Sequence, residues 1–305
     1  MPFHETYRRQ AALLLRAIPL VAEEACFALK GGTAINLFIR DLPQLSVDID
    51  LAYLPIEPRG PSLTAIHAAL MRIAARITAT VHGARITEGR LQPEDTVARL
   101  VVRANGVQIK IEVTRALRGS VYEPEIPAVA PRVEEIFGFA EIAVVSIADL
   151  YAGKIVAALD RQHPRDFFDV ADLLAHEGIE ETLRRAFIVY LLSHNRPIAE
   201  VLAPIRKDIS DEFARGFQGM TEEPVTLTAL LEAREALIVS IVGNMPDTHR
   251  RFLVSFERGA PDWLLLGVPG APELPAIRWR QRNLDKLSEA KRAKLVADIE
   301  RVLTE

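Results

Sequence analysis

The sequence contains a single cysteine in 305 residues. Cys26 lies in the apolar run from Ala25 to Leu29. One cysteine cannot build a disulfide framework or a thiolate metal cage within a chain, so the sequence excludes both. We expect Cys26 to act as a small buried hydrophobic side chain.

Long apolar runs are also missing. Arg8 and Arg9 precede an apolar stretch near the N-terminus, but Arg16, Glu23 and Glu24 interrupt it. The stretch is too short for a signal-peptide core or a membrane span. We therefore expect a cytoplasmic protein that does not bind to membranes.

The sequence has little net charge, −4 at pH 7. This value is too small to predict strong attraction to nucleic acid or acidic membranes, so any such contact must come from a local patch. Hydrophobic residues make up 49% of the chain, enough for a sizeable core. Its length suggests about two domains.

Residue periodicity predicts an α+β fold, with a small mixed sheet and flanking helices in the first part of the chain. The pattern before Ala25 is helical, and Pro19 is expected to kink or split that helix. The predicted elements that follow are a short strand ending near Lys30, a helix at 34–39, a strand at 47–51, a helix from Ser62 to about Val81, and a hairpin of 97–104 and 107–114 around Asn105-Gly106.

Later residues predict a second, mainly helical domain. The proline-rich, irregular stretch 122–139 is the best candidate for a linker, which gives domains at 1–140 and 141–305. A capping box at Ser146 predicts a helix to about Arg161, and Pro164 suits the first turn of the next helix.

Two motifs in the first domain point to phosphate and metal chemistry. Gly-Gly-Thr at 31–33 allows a tight turn, and unpaired N–H groups at the start of the following helix can hold a phosphate. Asp48 and Asp50 share one face of a predicted strand, about 7 Å apart, close enough to share metal ions. Magnesium prefers such hard oxygen ligands. Asp-x-Asp alone is also typical of the solvated face of an amphipathic strand.

The order of these motifs resembles a known family. Gly-Gly-Thr and Asp-Ile-Asp are followed by Lys154 in Ala-Asp-Leu-Tyr-Ala-Gly-Lys and by Arg-Asp-Phe-Phe-Asp at 165–169. The pattern resembles the AbiEii/AbiGii toxin nucleotidyltransferases of the polymerase-β-like superfamily, over about residues 20 to 205. This resemblance implies a nucleotidyltransferase core followed by the helical domain.

The resemblance also implies roles for individual residues. Glu112, on the polar face of its predicted strand, is the candidate for the third metal-binding carboxylate, a position where the superfamily commonly has aspartate. The implied catalytic residues are Asp48, Asp50, Glu112, Lys154 and Asp166. The implied Mg²⁺ ligands are Asp48, Asp50 and Glu112, and the implied nucleotide-binding residues are Gly31, Gly32, Thr33, Lys154, Arg165 and Asp169.

Several of these residues have simpler interpretations. Lys154 lies at i, i+7 from Arg161 and is also compatible with a solvated helix surface. Arg165 and Asp169 have the i, i+4 spacing of a surface ion pair. Glu112 is also compatible with a solvent-facing strand position.

A local basic patch lies near the C-terminus. Residues 278–294 contain seven basic and two acidic residues, a balance of +5. A basic helix with Trp279 among Arg278, Arg280 and Arg282 is suited to contact an RNA backbone and to stack on a base. The same pattern is typical of a solvated terminal helix with one anchoring tryptophan.

These observations predict a Mg²⁺-dependent transfer of a nucleoside monophosphate from an NTP to an acceptor hydroxyl, with release of pyrophosphate. The resemblance implies that the acceptor is a tRNA 3′ end and that the chain is the toxin of a type IV toxin–antitoxin pair with a cognate antitoxin. The alternatives are transfer to a protein or to a small molecule such as an antibiotic, and a non-catalytic binding module of the same fold.

Overall fold

The computed structural model describes residues 5–44, 46–114, 117–221 and 223–304. The chain divides into two compact units, Met1–Ser146 with Gly219–Pro224, and Ile147–Gln218 with Val225–Glu305. Within the described ranges, the first unit combines a mixed sheet with helices, whereas the second is helical. The predicted α+β fold class is therefore confirmed.

The sheet of the first unit has the strand order β1-β2-β5-β4-β3. Strands β2 and β5 are parallel, and the other neighbouring pairs are antiparallel. Strand β2 thus has β1 on one side and β5 on the other. The strands are β1 Phe27–Lys30, β2 Asp48–Tyr53, β3 Arg85–Leu91, β4 Thr96–Ala104 and β5 Val107–Thr114.

The two faces of the sheet differ in polarity because side chains alternate along each strand. On β5, Ile109, Ile111 and Val113 are buried, while Glu112 between them is exposed. Helices α1 (Glu5–Ala22) and α3 (Arg59–Thr80) pack against the sheet. Burying an aliphatic side chain contributes about 1.5–3 kcal/mol, so this alternation fixes which face of each strand stays polar.

The predicted hairpin is confirmed. Strands β4 and β5 are joined by Asn105 and Gly106, whose φ angles are 51° and 75°. Positive φ at both central residues is what a two-residue type I′ turn requires, and Asn-Gly tolerates it.

Three predictions of local structure were inaccurate, and one strand was not predicted. Helix α1 is not split, because Pro19 lies in its last turn and removes only one backbone hydrogen bond. Helix α3 begins at Arg59, and buried Ser62 donates to the carbonyl of Pro58 rather than capping the helix. The predicted 34–39 helix consists of a helical turn, α2 (Gly31–Ala34), and a π-helical turn, Ile35–Ile39. Strand β3 was missed because none of its residues is buried.

The proline-rich stretch 122–139 is not an irregular linker. It lies within the first unit and contains helix α4, Pro131–Phe137. Val129 and Val133 are buried, and the N–H of Ala130 donates to the carbonyl of Leu37. Pro131 starts the helix instead of preventing it, because the first helical position has no N–H partner to lose.

The second unit confirms the helices predicted at 147–161 and after Pro164. In the described part of the chain, the helices lack the combination of length and apolar character that a membrane span requires. The unit contains a π-helical turn at Val239–Gly243 and a 3₁₀ turn at Ala271–Glu273. Its α-helices are α5 Ile147–Arg161, α6 Pro164–His176, α7 Glu181–Leu192, α8 Ile198–Leu202, α9 Ser210–Gly216, α10 Leu227–Ile238, α11 Asp247–Glu257, α12 Trp263–Leu266, α13 Pro275–Asp285 and α14 Glu289–Thr304.

Candidate active site

The glycine turn after β1 is packed directly against strand β2. Gly31 has φ +74°, in the left-handed region that favours glycine. A Cβ atom at this position would lie 2.8 Å from Oδ2 of Asp50. The turn therefore needs glycine for both its conformation and its closeness to Asp50.

Thr33 secures the same turn through its side chain. Its hydroxyl is buried and hydrogen-bonds Ser46 Oγ and the carbonyl of Asp48. Asn36 Nδ2 donates to the carbonyl of Gly32 at 2.7 Å. A nucleotide contact by Thr33 would therefore use its backbone N–H, since the hydroxyl is engaged within the protein.

The three predicted metal-binding carboxylates lie on adjacent strands. Asp48 and Asp50 are half-buried on β2, with the fully buried Ile49 between them. Across the parallel pair, Asp50 is in register with Glu112 and Asp48 with Lys110. Lys110 Nζ lies 3.9 Å from Asp48 Oδ2. The structure thus brings Glu112 beside Asp50 on the polar face.

These residues fit a Mg²⁺ site by the chemistry of their donors. All are carboxylates, the hard oxygen ligands that Mg²⁺ prefers. In the described part of the chain, however, no three histidine, cysteine, aspartate or glutamate side chains converge closely enough to hold a metal ion. Uncompensated carboxylates repel each other, and the Asp48 carboxylate lies near Lys110. The assignment of Asp48, Asp50 and Glu112 as metal ligands stays a prediction.

The sequence did not reveal the role of Lys30 on this face. Lys30 is in register with Asp50 across the antiparallel pair β1/β2. Its Nζ donates to Thr114 Oγ1 on β5 at 2.9 Å. These residues are 84 positions apart, so only strand pairing brings them together.

The predicted site residues of the second unit form a buried ion-pair network between α5 and α6. Lys154 Nζ lies 3.1 Å from Asp166 Oδ1 and 2.8 Å from Asp169 Oδ2. Arg161 binds both carboxylate oxygens of Asp166, at 2.5 and 2.7 Å. The Lys154 side chain is 8% exposed and that of Asp166 is fully buried. The alternative of a solvated Lys154 is therefore wrong for this structure.

The charges in this network stabilise one another. Burial alone would lower the pKa of Lys154, but Asp169 and Asp166 outweigh it and hold the pKa above the usual lysine value. Burial alone would raise the pKa of Asp166, yet Arg161 and Lys154 hold it below the usual aspartate value. Lys154 and Asp166 are therefore both ionised at neutral pH.

Arg165 lies in the first turn of α6. Its backbone N–H donates to Nδ1 of His163, the residue that caps this helix, at 3.2 Å. The carboxylate of Asp169, for which the sequence suggested an ion pair with Arg165, lies 2.8 Å from Lys154 Nζ. The predicted nucleotide-binding roles of Arg165 and Asp169 stay predictions.

The basic segment near the C-terminus is two helices, α13 and α14, rather than one. Arg280 points inward: its side chain is 12% exposed, lies 3.4 Å from Glu257 and donates to the carbonyl of His194 at 2.7 Å. Arg280 is therefore engaged within the helical unit. Arg278, Arg282 and Trp279 are exposed, Trp279 at 60%. The surface that remains for a nucleic acid is smaller than the sequence predicted.

The described geometry defines a mixed-sheet core with a glycine turn beside paired carboxylates, an arrangement typical of nucleotidyltransferases. The chain matches the family described as nucleotidyl transferase AbiEii toxin, type IV TA system, over residues 12–283. The match covers most of the chain, so the chain belongs to this family of toxin–antitoxin nucleotidyltransferases and is a nucleotidyltransferase. The resemblance stated from the motifs is confirmed.

A solved structure shows the same fold. The chain is similar to MenT4, a nucleotidyltransferase toxin from Mycobacterium tuberculosis H37Rv, with a TM-score of 0.59 and 14% sequence identity. The similarity covers 96% of this chain and 92% of that one. No curated protein sequence matches the chain.

Proposed function

We propose that this toxin transfers a nucleoside monophosphate from an NTP to the 3′ hydroxyl of a tRNA and depends on Mg²⁺. The observation that supports this most directly is that Asp50 is in register with Glu112 on the neighbouring strand. Asp50 also shares its strand face with Asp48 and packs against Gly31. The chemistry is assigned to residues 1–140, and the helical domain, 141–305, contributes the acceptor surface. The toxin acts in the cytoplasm and is held in check by a cognate antitoxin.

The residues of the core have distinct tasks in this proposal. The backbone N–H groups of the turn at 31–33 hold phosphate oxygens of the NTP, since the first N–H groups of a helix have no partner within it. Asp48, Asp50 and Glu112 hold Mg²⁺, which supplies charge neutralisation at the phosphates and activation of the acceptor hydroxyl when bound. The acceptor oxygen then forms a bond to the α-phosphorus as the bond to pyrophosphate breaks.

The residues of the second unit enter the proposal through the family resemblance. Lys154 is proposed to neutralise phosphate charge, and Asp166 to complete the catalytic set, together with nucleotide contacts by Arg165 and Asp169. The buried network supports at least a positioning role, because Lys154 and Arg161 both bind the Asp166 carboxylate. These ion pairs join α5 to α6.

A tRNA acceptor is favoured over a small molecule by the exposed surface of α13. Arg278 and Arg282 are exposed on this helix together with the indole of Trp279. Arginine contacts phosphates, and an exposed aromatic ring stacks on an unpaired base such as one at an RNA 3′ end. A small-molecule acceptor has no need of such a surface.

The proposal is tested by incubating the protein with total RNA and each of the four NTPs, labelled in turn at the α- or γ-phosphate. We expect one α-labelled NTP to label RNA of tRNA size only when Mg²⁺ is present, and γ-labelled NTP to label nothing. Periodate oxidation of the RNA destroys the 3′ diol and should abolish labelling. Label on protein or on a small molecule, or on oxidised RNA, would overturn the tRNA 3′-end assignment.

A further inference from the structure

Lys30 reaches across strand β2 on the face that carries the carboxylates. It is the last residue of β1, while the hydroxyl that it binds belongs to Thr114 on β5. Strand β2 lies between these two strands. The Lys30 side chain therefore spans β2 to make its 2.9 Å hydrogen bond, on the side of the sheet where Asp50 points.

Lys30 spans a part of the sheet where two carboxylates lie side by side. Asp50 is in register with Lys30 on one side and with Glu112 on the other. Neighbouring strands are about 4.8 Å apart, and like charges placed opposite each other destabilise a sheet. Without a metal, a cation held close to these two carboxylates offsets their repulsion.

We propose that Lys30 is a positioning residue for Asp50. Its ammonium, fixed by Thr114, neutralises the adjacent Asp50 and Glu112 carboxylates and keeps Asp50 against Gly31. This inference rests on the proposed function, because it gives the carboxylates their metal-binding task. Lys30 acts through Asp50 and forms no bond to the reacting atoms.

Two other roles for Lys30 make different predictions. A lysine that only joins β1 to β5 would stabilise the fold regardless of the charge at Glu112. A lysine that binds the triphosphate directly would mainly lower the KM for the NTP. A positioning residue couples to the carboxylates in the metal-free protein and affects kcat through the placement of Asp50.

The first experiment is a double-mutant cycle on the thermal unfolding of the full chain in EDTA. We expect Lys30→Met to lower Tm by about 2–4 °C, and Glu112→Gln in the same chain to restore at least half of that loss, since it removes the repulsion that Lys30 offsets. Added NaCl should diminish the loss by screening. If Lys30→Met lowers Tm equally in the wild type and in the Glu112→Gln background, the proposal is overturned.

Lys110→Met is the matched control for this cycle. Lys110 stands on the same face, 3.9 Å from Asp48, but the pair is nearly half-exposed on both sides. Exposed pairs contribute little, so Lys110→Met should change Tm by less than about 1 °C and show no coupling to Glu112→Gln. This readout needs no substrate, so absence of nucleotide transfer by the wild type would overturn the proposed function and leave the cycle interpretable.

The second experiment separates positioning from direct nucleotide binding. Thr114→Val removes the hydroxyl that fixes Lys30, whereas Thr114→Ser keeps it. We expect Lys30→Met and Thr114→Val each to lower kcat about tenfold with little change in KM for the NTP, and Thr114→Ser to retain activity. A raised KM in Lys30→Met with a fully active Thr114→Val would overturn the proposal in favour of a triphosphate contact.

Discussion

Oδ2 of Asp50 lies so close to the backbone of Gly31 that a Cβ atom added there would approach it to 2.8 Å. Gly31 also has a left-handed φ of +74°, a conformation that favours glycine. The residue that opens the proposed phosphate-binding turn thus touches the residue proposed to bind the metal. A change at Gly31 is transmitted directly to Asp50.

Gly31→Ala should therefore lower both stability and activity. A left-handed conformation costs a non-glycine residue about 1–2 kcal/mol, and relief of the contact with Asp50 requires the carboxylate or the turn to move. Because small misplacements of reacting groups are costly, we expect transfer to fall by about 100-fold. Thermal unfolding and single-turnover transfer measure the two effects.

Gly60→Ala is the matched control in the same unit. A Cβ at Gly60 meets no atom within 4 Å, and its φ is not left-handed. Wild-type stability and rate are expected for this variant. A Gly31→Ala protein that transfers nucleotide at the wild-type rate would contradict the proposed geometry of the turn.

Asp48→Asn and Asp50→Asn should abolish transfer with little loss of stability. The amide keeps the shape of the side chain but removes the charge that a metal ligand supplies. Asp48 is half-exposed and its partner Lys110 is 3.9 Å away, so its loss should change the free energy of unfolding by no more than about 1 kcal/mol. Transfer assays and melting temperatures test each variant.

Asp95→Asn provides the control for these substitutions. Asp95 is exposed in the turn between β3 and β4 with φ 50°, a conformation that asparagine also tolerates. If Asp95→Asn is fully active and Asp48→Asn or Asp50→Asn is also fully active, the assignment of that aspartate as a metal ligand is wrong.

Local features of this chain could be predicted and tertiary ones could not. The alternation around Asp48 and Asp50 and the Asn105-Gly106 turn depend on neighbouring residues, and both predictions hold in the structure. The bond between Lys30 and Thr114 depends on strand order, which no local pattern encodes. Strand β3 has no buried residue and therefore lacks the period-two signal of a half-buried strand.

The same distinction explains why the surroundings of Lys154 could not be predicted from the sequence. Spacing along one helix left a solvated surface open as the alternative, because i, i+4 and i, i+7 rules describe a single helix. Helix α5 also packs against α6 and α7, which buries the face that carries Lys154. The fold class and the motif residues were thus accessible from the sequence, whereas the ion-pair partners of Lys154 were not.

The network around Asp166 should appear in the pH dependence of stability. The pKa of Asp166 is lower in the folded protein than its ordinary value, so ionised Asp166 stabilises the fold above about pH 4, and this contribution is lost as pH falls through the folded pKa. We expect Tm to decrease between pH 5 and pH 3, and Asp166→Asn to flatten that decrease. Thermal scans across this range measure both.

Asp172→Asn on the same helix is the control for this profile. The Asp172 side chain is 25% exposed and pairs with His176 at the helix surface. Its substitution should leave the slope between pH 5 and pH 3 close to that of the wild type. An unchanged slope in Asp166→Asn would show that the buried pair does not control acid stability.

Lys154→Met should destabilise the protein by about 3–5 kcal/mol, because two buried carboxylates lose their shared cation. Lys154 has a raised pKa, so its contribution is present at neutral pH and is lost only as pH rises through that value. Equilibrium unfolding in urea measures the loss. A fall in nucleotide transfer therefore indicates a nucleotide-binding role only if the variant is shown to be folded under assay conditions. A destabilisation below about 1 kcal/mol would contradict a stabilising role for the buried ion pairs of Lys154.

The acceptor surface is best tested with point variants. Deleting the chain from Arg278 onward would remove α14, whose Ile299, Val302 and Leu303 are buried in the helical unit. Such a truncation would expose the apolar surface that these residues cover, and its loss of activity would be uninformative.

Arg278→Gln with Arg282→Gln should weaken transfer to RNA while sparing NTP binding. Removing one phosphate contact reduces the dependence of log K on log salt by about 0.7–0.9, so the double variant should show a salt slope shallower by about 1.4–1.8. Arg280→Gln is the contrasting control, because it leaves Glu257 buried without its cation and should lower Tm rather than the salt slope. RNA binding measured at several salt concentrations, beside melting curves, distinguishes the two. If the double variant is folded and keeps the full rate and the wild-type salt slope, α13 does not contact the RNA backbone, and the acceptor must bind to another surface of the protein.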